Sequence, residues 1–143
     1  SIAPSVMLKG RAMLDDPAAT GQAVEGAFFK HLFTRYYHSG VSFSYWRGHG
    51  DREVDIIADT GRERIPFEVK YRSQHTRPGD LKGLIHFCRE KNTAKGYVIT
   101  REMADFGAMD AGESGCAALL KIPAPLACFW LGRADVHFSP TTQ

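Results

Sequence analysis

Cysteine is scarce in this 143-residue chain: Cys88, Cys116 and Cys128 are an odd number and contain no Cys-x-x-Cys pair. That excludes a disulfide framework and a zinc ribbon, and it points to buried thiols in a reducing, cytoplasmic compartment. Long apolar runs are lacking as well. The stretch from Pro123 to Leu131 is interrupted by Pro125 and falls short of the roughly 18 residues a membrane helix needs. No membrane partner is expected, and no segment has the order of a signal peptide. Charge of one sign is also missing: Lys plus Arg is 18 and Asp plus Glu is 16, a net of +2. A histone-like polycation and an acidic disordered tail are therefore excluded, whereas a local phosphate-binding patch is not. There is no internal repeat. The six histidines form no ligand set, and the spacing of His31 and His38 on one predicted helix suits packing. Gly21 to Gly26 has the spacing of a phosphate loop, but Ala27 and Phe28 stand where Lys and Ser or Thr are required, and no strand precedes it. ATP binding by this chain is excluded. What is present is 43% hydrophobic and 11% aromatic residues, the composition of one folded domain with a real core.

The spacing predicts a short helix around Val6 to Leu14 and a turn at Asp16-Pro17. A second helix is predicted from about Gly21 to His38, capped by Thr20. Its apolar stripe is Val24, Phe28, Leu32 and Tyr36, widened by Phe29 and Phe33. Three strand-like segments follow, Phe43 to Arg47, Glu53 to Asp59 and Ile65 to Tyr71, separated by short Gly-containing turns. They read as an antiparallel meander, with Pro66 near the start of its strand. Pro78-Gly79 opens a helix over Asp80 to Asn92, with Leu81, Leu84, Ile85 and Cys88 on one face. Gly96 to Thr100 reads as a buried strand, which makes a strand–helix–strand crossover with parallel strands. Met103 to Gly115 reads as a connection, Ala118 to Ile122 as a last strand, and Pro123 to Leu131 as a short helix or turn. The tail from Ser139 is expected to fray. The expected class is α/β: helices flanking a small mixed sheet made of an antiparallel meander plus a parallel crossover.

Alternation along Glu53 to Asp59 predicts Asp55 and Ile57 on one face, with Val54 and Ile56 on the other. In the next strand Glu68 and Lys70 share a face, opposite Phe67 and Val69. If the strands pair, Asp55 lies beside Glu68 with Lys70 one step along. A carboxylate in an apolar strand must be paired, solvated by a cleft or bound to a metal. Two converging carboxylates repel each other, and a divalent cation removes that conflict. The hard oxygen donors of Asp55 and Glu68, with the Val69 carbonyl between them, suit Mg²⁺ or Mn²⁺. Such an ion polarises a phosphoryl oxygen and acidifies a bound water, and Lys70 is placed to stabilise the resulting charge. Glu25 joins the set if its helix packs beside the meander. The competing reading makes Glu68 and Lys70 an ion pair on a solvated face, Asp55 a satisfied structural acid and Glu25 a solvated helix residue.

Asp55 followed by Glu68-Val69-Lys70 resembles the PD-(D/E)XK nuclease motif, and the order helix, three strands, helix, strand is similar to the core of that superfamily. The resemblance implies a restriction endonuclease-like three-layer sandwich in which Glu25, Asp55 and Glu68 hold Mg²⁺ and Lys70 assists the nucleophile. Val54 stands where that family often carries Pro. A further resemblance covers about residues 20 to 131. It rests on Gly21-Gln22-Ala23-Val24-Glu25, Tyr45-Trp46-Arg47, Glu53-Val54-Asp55, Phe67-Glu68-Val69-Lys70, Asp80-Leu81-Lys82-Gly83-Leu84, Val98-Ile99-Thr100 and the end from Ile122-Pro123 to Leu131. These segments resemble the uncharacterised C-terminal domain of bacterial and archaeal AAA-type ATPases, itself similar to Holliday junction resolvases. The resemblance implies a linker or end of a preceding region at residues 1–17, a nuclease-like domain at 18–133 and a tail at 134–143, behind an N-terminal ATPase region. The start at Ser1 rather than Met agrees with a piece of a longer parent.

Arg47, His49, Arg52, Arg62, Arg64, Arg72, His75 and Arg77 crowd the meander and its exit. They read as a phosphate-contacting rim or as a solvated surface, with Arg47, Arg72, Arg77 and Lys82 the candidate nucleic-acid contacts. Trp46 suits base stacking or core packing. Two functions of different kinds follow. One is a Mg²⁺- or Mn²⁺-dependent DNA phosphodiesterase, a nuclease acting on branched or duplex DNA. The other is a catalytically silent module of the same fold, serving the ATPase as a DNA-binding or partner-interaction platform. A third idea uses Phe43 to Trp46 as an interaction edge.

Overall fold

The computed structural model describes residues 16–110 and 118–137. The expected helix at Val6 to Leu14, Cys116 and the tail from Ser139 lie outside the described residues. The first described helix, α1 (Pro17–Tyr36), begins before the predicted Gly21. Asp16, not Thr20, is its cap: Oδ1 accepts from the N–H groups of Ala18 at 3.0 Å and Ala19 at 3.4 Å. Pro17 takes the first helical position, where its missing N–H costs nothing. Thr20 instead donates its hydroxyl to the Asp16 carbonyl at 2.9 Å.

Strands β1 (Ser42–Arg47), β2 (Glu53–Asp59) and β3 (Arg64–Lys70) form the predicted antiparallel meander. A short 3₁₀ turn (Pro78–Leu81) then leads into α2 (Lys82–Lys91) and β4 (Lys95–Thr100), which runs parallel to β3. Asn92 ends α2 in the left-handed conformation, with φ of 52°. The stretch predicted as a connection contains a short strand, β5 (Gly107–Met109). It pairs antiparallel with β6 (Ala118–Pro123), which itself lies parallel to β4. The last described element, α3 (Ala124–His137), runs past the predicted end at Leu131. The result is a mixed six-stranded sheet in the order β1-β2-β3-β4-β6-β5.

Each face of the sheet is covered. Leu84, Phe87 and Cys88 of α2 pack on Val54, Ile57, Val98 and Leu119. Phe28 and Leu32 of α1, with Ala124 and Ala127 of α3, pack on Ile56, Ile99 and Ile122. Each fully buried Leu, Ile or Phe contributes about 1.5–3 kcal/mol, so the sheet is clamped from both sides. Phe29 and Phe33 do not widen the buried stripe of α1; both are exposed and ring-stack on one another. Trp46 packs inward, edge-on to Phe87 with ring centroids 5.5 Å apart.

Three local features set up the site. Strict alternation fails in β2, because Val54 and Ile57 belong to one core cluster and Ile56 to the other. The cause is a register shift: Ser44 faces Ile57 and Trp46 faces Val54, leaving both Asp55 and Ile56 opposite Tyr45 alone. The bulge corrects the expectation that Val54 and Ile56 share a face, and it re-aims Asp55. Pro66 lies within β3, paired with Ile57, and not at its start. It is tolerated because its nitrogen faces the β4 side of the strand, where pairing begins only at Phe67. Gly83 lets α2 press on β2: a Cβ there would come within 2.2 Å of the Glu53 carbonyl oxygen.

Candidate functional site

The ladder between β2 and β3 ends at the pair Ile56–Phe67. Beyond it the Asp55 side chain takes over, and its Oδ2 accepts the Val69 N–H at 2.7 Å. Within a strand the N–H and C=O of one residue leave from the same edge, so the Val69 carbonyl faces the Asp55 side too. Glu68 is only 5% exposed. Its Oε1 pairs with Lys70 Nζ at 2.9 Å, while its Oε2 is buried with no hydrogen-bond partner. Burial is the main force on its carboxyl, repulsion from Asp55 adds to it, and Lys70 opposes; the pKa is pushed up to about 7.

Asp55 is also raised, first by burial and further by Glu53, against the pull of the Val69 N–H and Lys70. Glu25, half-buried on α1, is raised by burial, then by Asp55 and Glu53. The fold therefore brings Asp55, Glu68, Val69 and Lys70 together and brings Glu25 within reach of their field. This is not the solvated ion pair of the competing reading, since neither Glu68 nor Lys70 is an exposed residue.

The basic residues divide between the two ends of the sheet. Arg62 and Arg64 lie at the β2–β3 hairpin with Asp59, away from the carboxylates. Arg47 stands at the carboxylate end, 3.6 Å from Glu53. Arg72 ion-pairs with Asp80 at 2.5 Å, and the Arg77 N–H donates to the same carboxylate at 2.9 Å. Lys82 is exposed at the start of α2, one residue before the contact of Gly83 with Glu53.

Comparison with known families matches residues 20–122 to a domain of unknown function, DUF4143. The chain belongs to the DUF4143 family. Such domains are often found with AAA-type ATPases. Comparison with curated proteins and with solved structures returns no match. In this DUF4143 domain the matched span contains Glu25, Asp55, Glu68 and Lys70, together with the whole β3–α2 connection.

The donors that meet in this DUF4143 domain are those a hard divalent cation takes. Every donor is oxygen, Asp55 adds to the rise in the Glu68 pKa, and one buried Glu68 oxygen lacks a partner. That chemistry fits Mg²⁺ or Mn²⁺. Among the described residues no three His, Cys, Asp or Glu side chains already stand in ligand geometry. The fit is therefore one of two carboxylates plus a carbonyl, with Glu25 farther off.

Sequence reasoning gave no role to Glu53, whose charge acts on both Glu25 and Asp55 in the DUF4143 site. Its position two residues before Asp55 was the available signal. It also missed Asp80, which holds Arg72 and Arg77 and feels the charge of Lys70. No sequence pattern pointed to the pair of buried Asp105 and half-buried Lys121, 2.5 Å apart.

Proposed function

We propose that this domain is a Mg²⁺- or Mn²⁺-dependent DNA phosphodiesterase. In this reading it is a restriction endonuclease-like nuclease unit spanning residues 18–133, at the C-terminal part of a cytoplasmic AAA-type ATPase. One observation carries the reading: Glu68, buried in a central strand beside Asp55, has one oxygen on Lys70 and the other unpartnered. A protein that needed only stability would do better with an apolar residue at that place. Asp55, Glu68 and the Val69 carbonyl, joined by Glu25, would hold the cation, which supplies Lewis acidity and an acidified water. The chain does the rest. The Val69 N–H fixes the Asp55 carboxylate. Lys70 offers a positive charge to the phosphoryl oxygens as negative charge builds on them. Arg47, Arg72, Arg77 and Lys82 would position the DNA backbone.

The test is incubation with branched, single-stranded and linear DNA in the presence of Mg²⁺ or Mn²⁺. Cleavage is expected, and Lys70→Ala should lower it on the order of 10²-fold, with Glu68→Ala at least as severe. No cleavage of any substrate, or cleavage unchanged in Glu68→Ala, overturns the reading.

A second reading is favoured by a separate observation. Phe29 and Phe33 of α1, with Tyr37 just past its end, form an exposed aromatic row that reaches Phe43 of strand β1. Such a row beside a strand whose outer edge has no partner among the described residues suits a silent module that docks on the ATPase region. Calorimetry with Mn²⁺ separates the two. Stoichiometric binding lost in Asp55→Asn supports the enzyme, and no binding supports the platform.

A further inference from the structure

The connection from β3 to α2 frames a cavity of about 480 Å³ lined by Arg72, Ser73, Gln74, His75, Arg77 and Asp80. Its cationic and potentially cationic groups are Arg72, His75 and Arg77, and its one acid is Asp80. That acid is already engaged: Arg72 and the Arg77 N–H both bind Oδ2. Arg72 is held by this contact at one end of its guanidinium, while its Nε is buried without an acceptor. Among the described residues the Arg77 side chain has no carboxylate partner. Thr76, between His75 and Arg77, is 5% exposed, and its hydroxyl also lacks a partner. The exposed His75 lies with Nδ1 3.7 Å from Asp105 Oδ1, the oxygen that Lys121 pairs with. The cavity adjoins the carboxylate centre, since Lys70 precedes it by two residues and its charge acts on Asp80.

Unmet buried donors beside a net-positive cavity call for an anion with several oxygens. A forked guanidinium suits phosphate in particular. A continuous duplex would be tracked by cations spaced along an open surface, whereas here they converge on one cavity.

We propose that this cavity binds a phosphate monoester, the terminal phosphate of a nucleic-acid strand or of a released nucleotide. The substrate class becomes a phosphorylated strand end next to the Glu68 centre. The assignment to nucleic acid rests on the phosphodiesterase reading; the anion site itself does not.

The test measures binding by the full chain in EDTA, so that no cleavage intervenes. A short single strand is compared in 5′-phosphorylated, 3′-phosphorylated and unphosphorylated forms, together with a free mononucleotide. A phosphate at one end is expected to tighten binding roughly tenfold, about 1.4 kcal/mol. Arg77→Ala should abolish that gain without changing thermal unfolding, and His75→Ala should reduce it. A gain for the strand but not the mononucleotide assigns the strand end; an equal gain for both assigns the phosphate group alone. Equal affinity for all strand forms, or a gain that survives in both Arg77→Ala and Arg72→Ala, overturns the proposal. Because the measurement needs no metal, its failure leaves Glu68-dependent cleavage standing. A cleavage failure likewise leaves the anion site standing.

Discussion

Glu68 is a carboxylic acid where the sheet admits little water, and that has a consequence for folding as well as for chemistry. Its pKa of about 7 in the fold lies above the ordinary value of 4.5. The folded state therefore holds the Glu68 proton more tightly than the unfolded state. The associated stability is fully present below pH 4.5 and is lost as pH rises through 7. Its size is on the order of 3 kcal/mol. Glu68→Gln keeps the shape and cannot ionise. In urea unfolding with EDTA, wild type and variant should be close at pH 4.5 and should diverge by pH 8, the variant becoming more stable by about 3 kcal/mol. A difference that does not change with pH would show that Glu68 ionises freely. Lys70 tempers the effect by pairing with Oε1 but leaves Oε2 unmet.

Two backbone accidents at the level of elements bring the acids to one place. The bulge in β2 puts Asp55 and Ile56 opposite a single residue, which ends the regular ladder and frees the Val69 N–H for Asp55. Gly83 lets the first turn of α2 touch the Glu53 backbone. Gly83→Ala must displace α2 or β2, because the new carbon meets a main-chain carbonyl that cannot rotate away. It should cost roughly 1–3 kcal/mol in urea unfolding. Gly79→Ala serves as the comparison: nothing lies within 4 Å of its new carbon, so its effect should stay within about 0.5 kcal/mol. Equal effects of the two changes would contradict the close approach of α2. The element order was legible in the sequence because apolar periodicity and Gly-rich turns mark it. The start of α1 was misread because Asp16 and Thr20 are both good caps, and only the Asp16 carboxylate reaches the free N–H groups. The short β5 was missed because three residues carry no periodic signal.

The sheet has one end where carboxylates and arginines meet and one side where aromatic rings are exposed. Glu53, Asp55 and Glu68 share the end where β2 starts and β3 ends with Arg47, Arg72 and Arg77, so the net charge of +2 hides a local concentration of both signs. On the side of α1 and β1, exposed Phe29, Phe33, Tyr37 and Tyr45 surround a strand edge that has no partner among the described residues. Replacing Phe33 and Tyr37 together by Gln should change unfolding free energy by no more than about 1 kcal/mol. If the platform reading holds, the same change should abolish co-purification with the separately produced ATPase region. Retained capture by the double variant would remove the aromatic row from that role.

The sequence by itself determined the class of the fold and the identity of the central acids. Alternating apolar residues, a Pro-Gly helix opening and Glu-x-Lys in a strand are local patterns, and local patterns survive without knowledge of distant neighbours. The split of the arginines between the two ends of the sheet could not be read that way. Neither could the part of Glu53, the engagement of Arg72 by Asp80 or the outward turn of Phe29 and Phe33. Each depends on which strand ends meet and on a one-residue bulge that overturns alternation. Burial decided the chemistry last: the same Glu68 is an ordinary acid on a solvated strand, and its pKa is pushed up to about 7 only when the fold buries it beside Asp55.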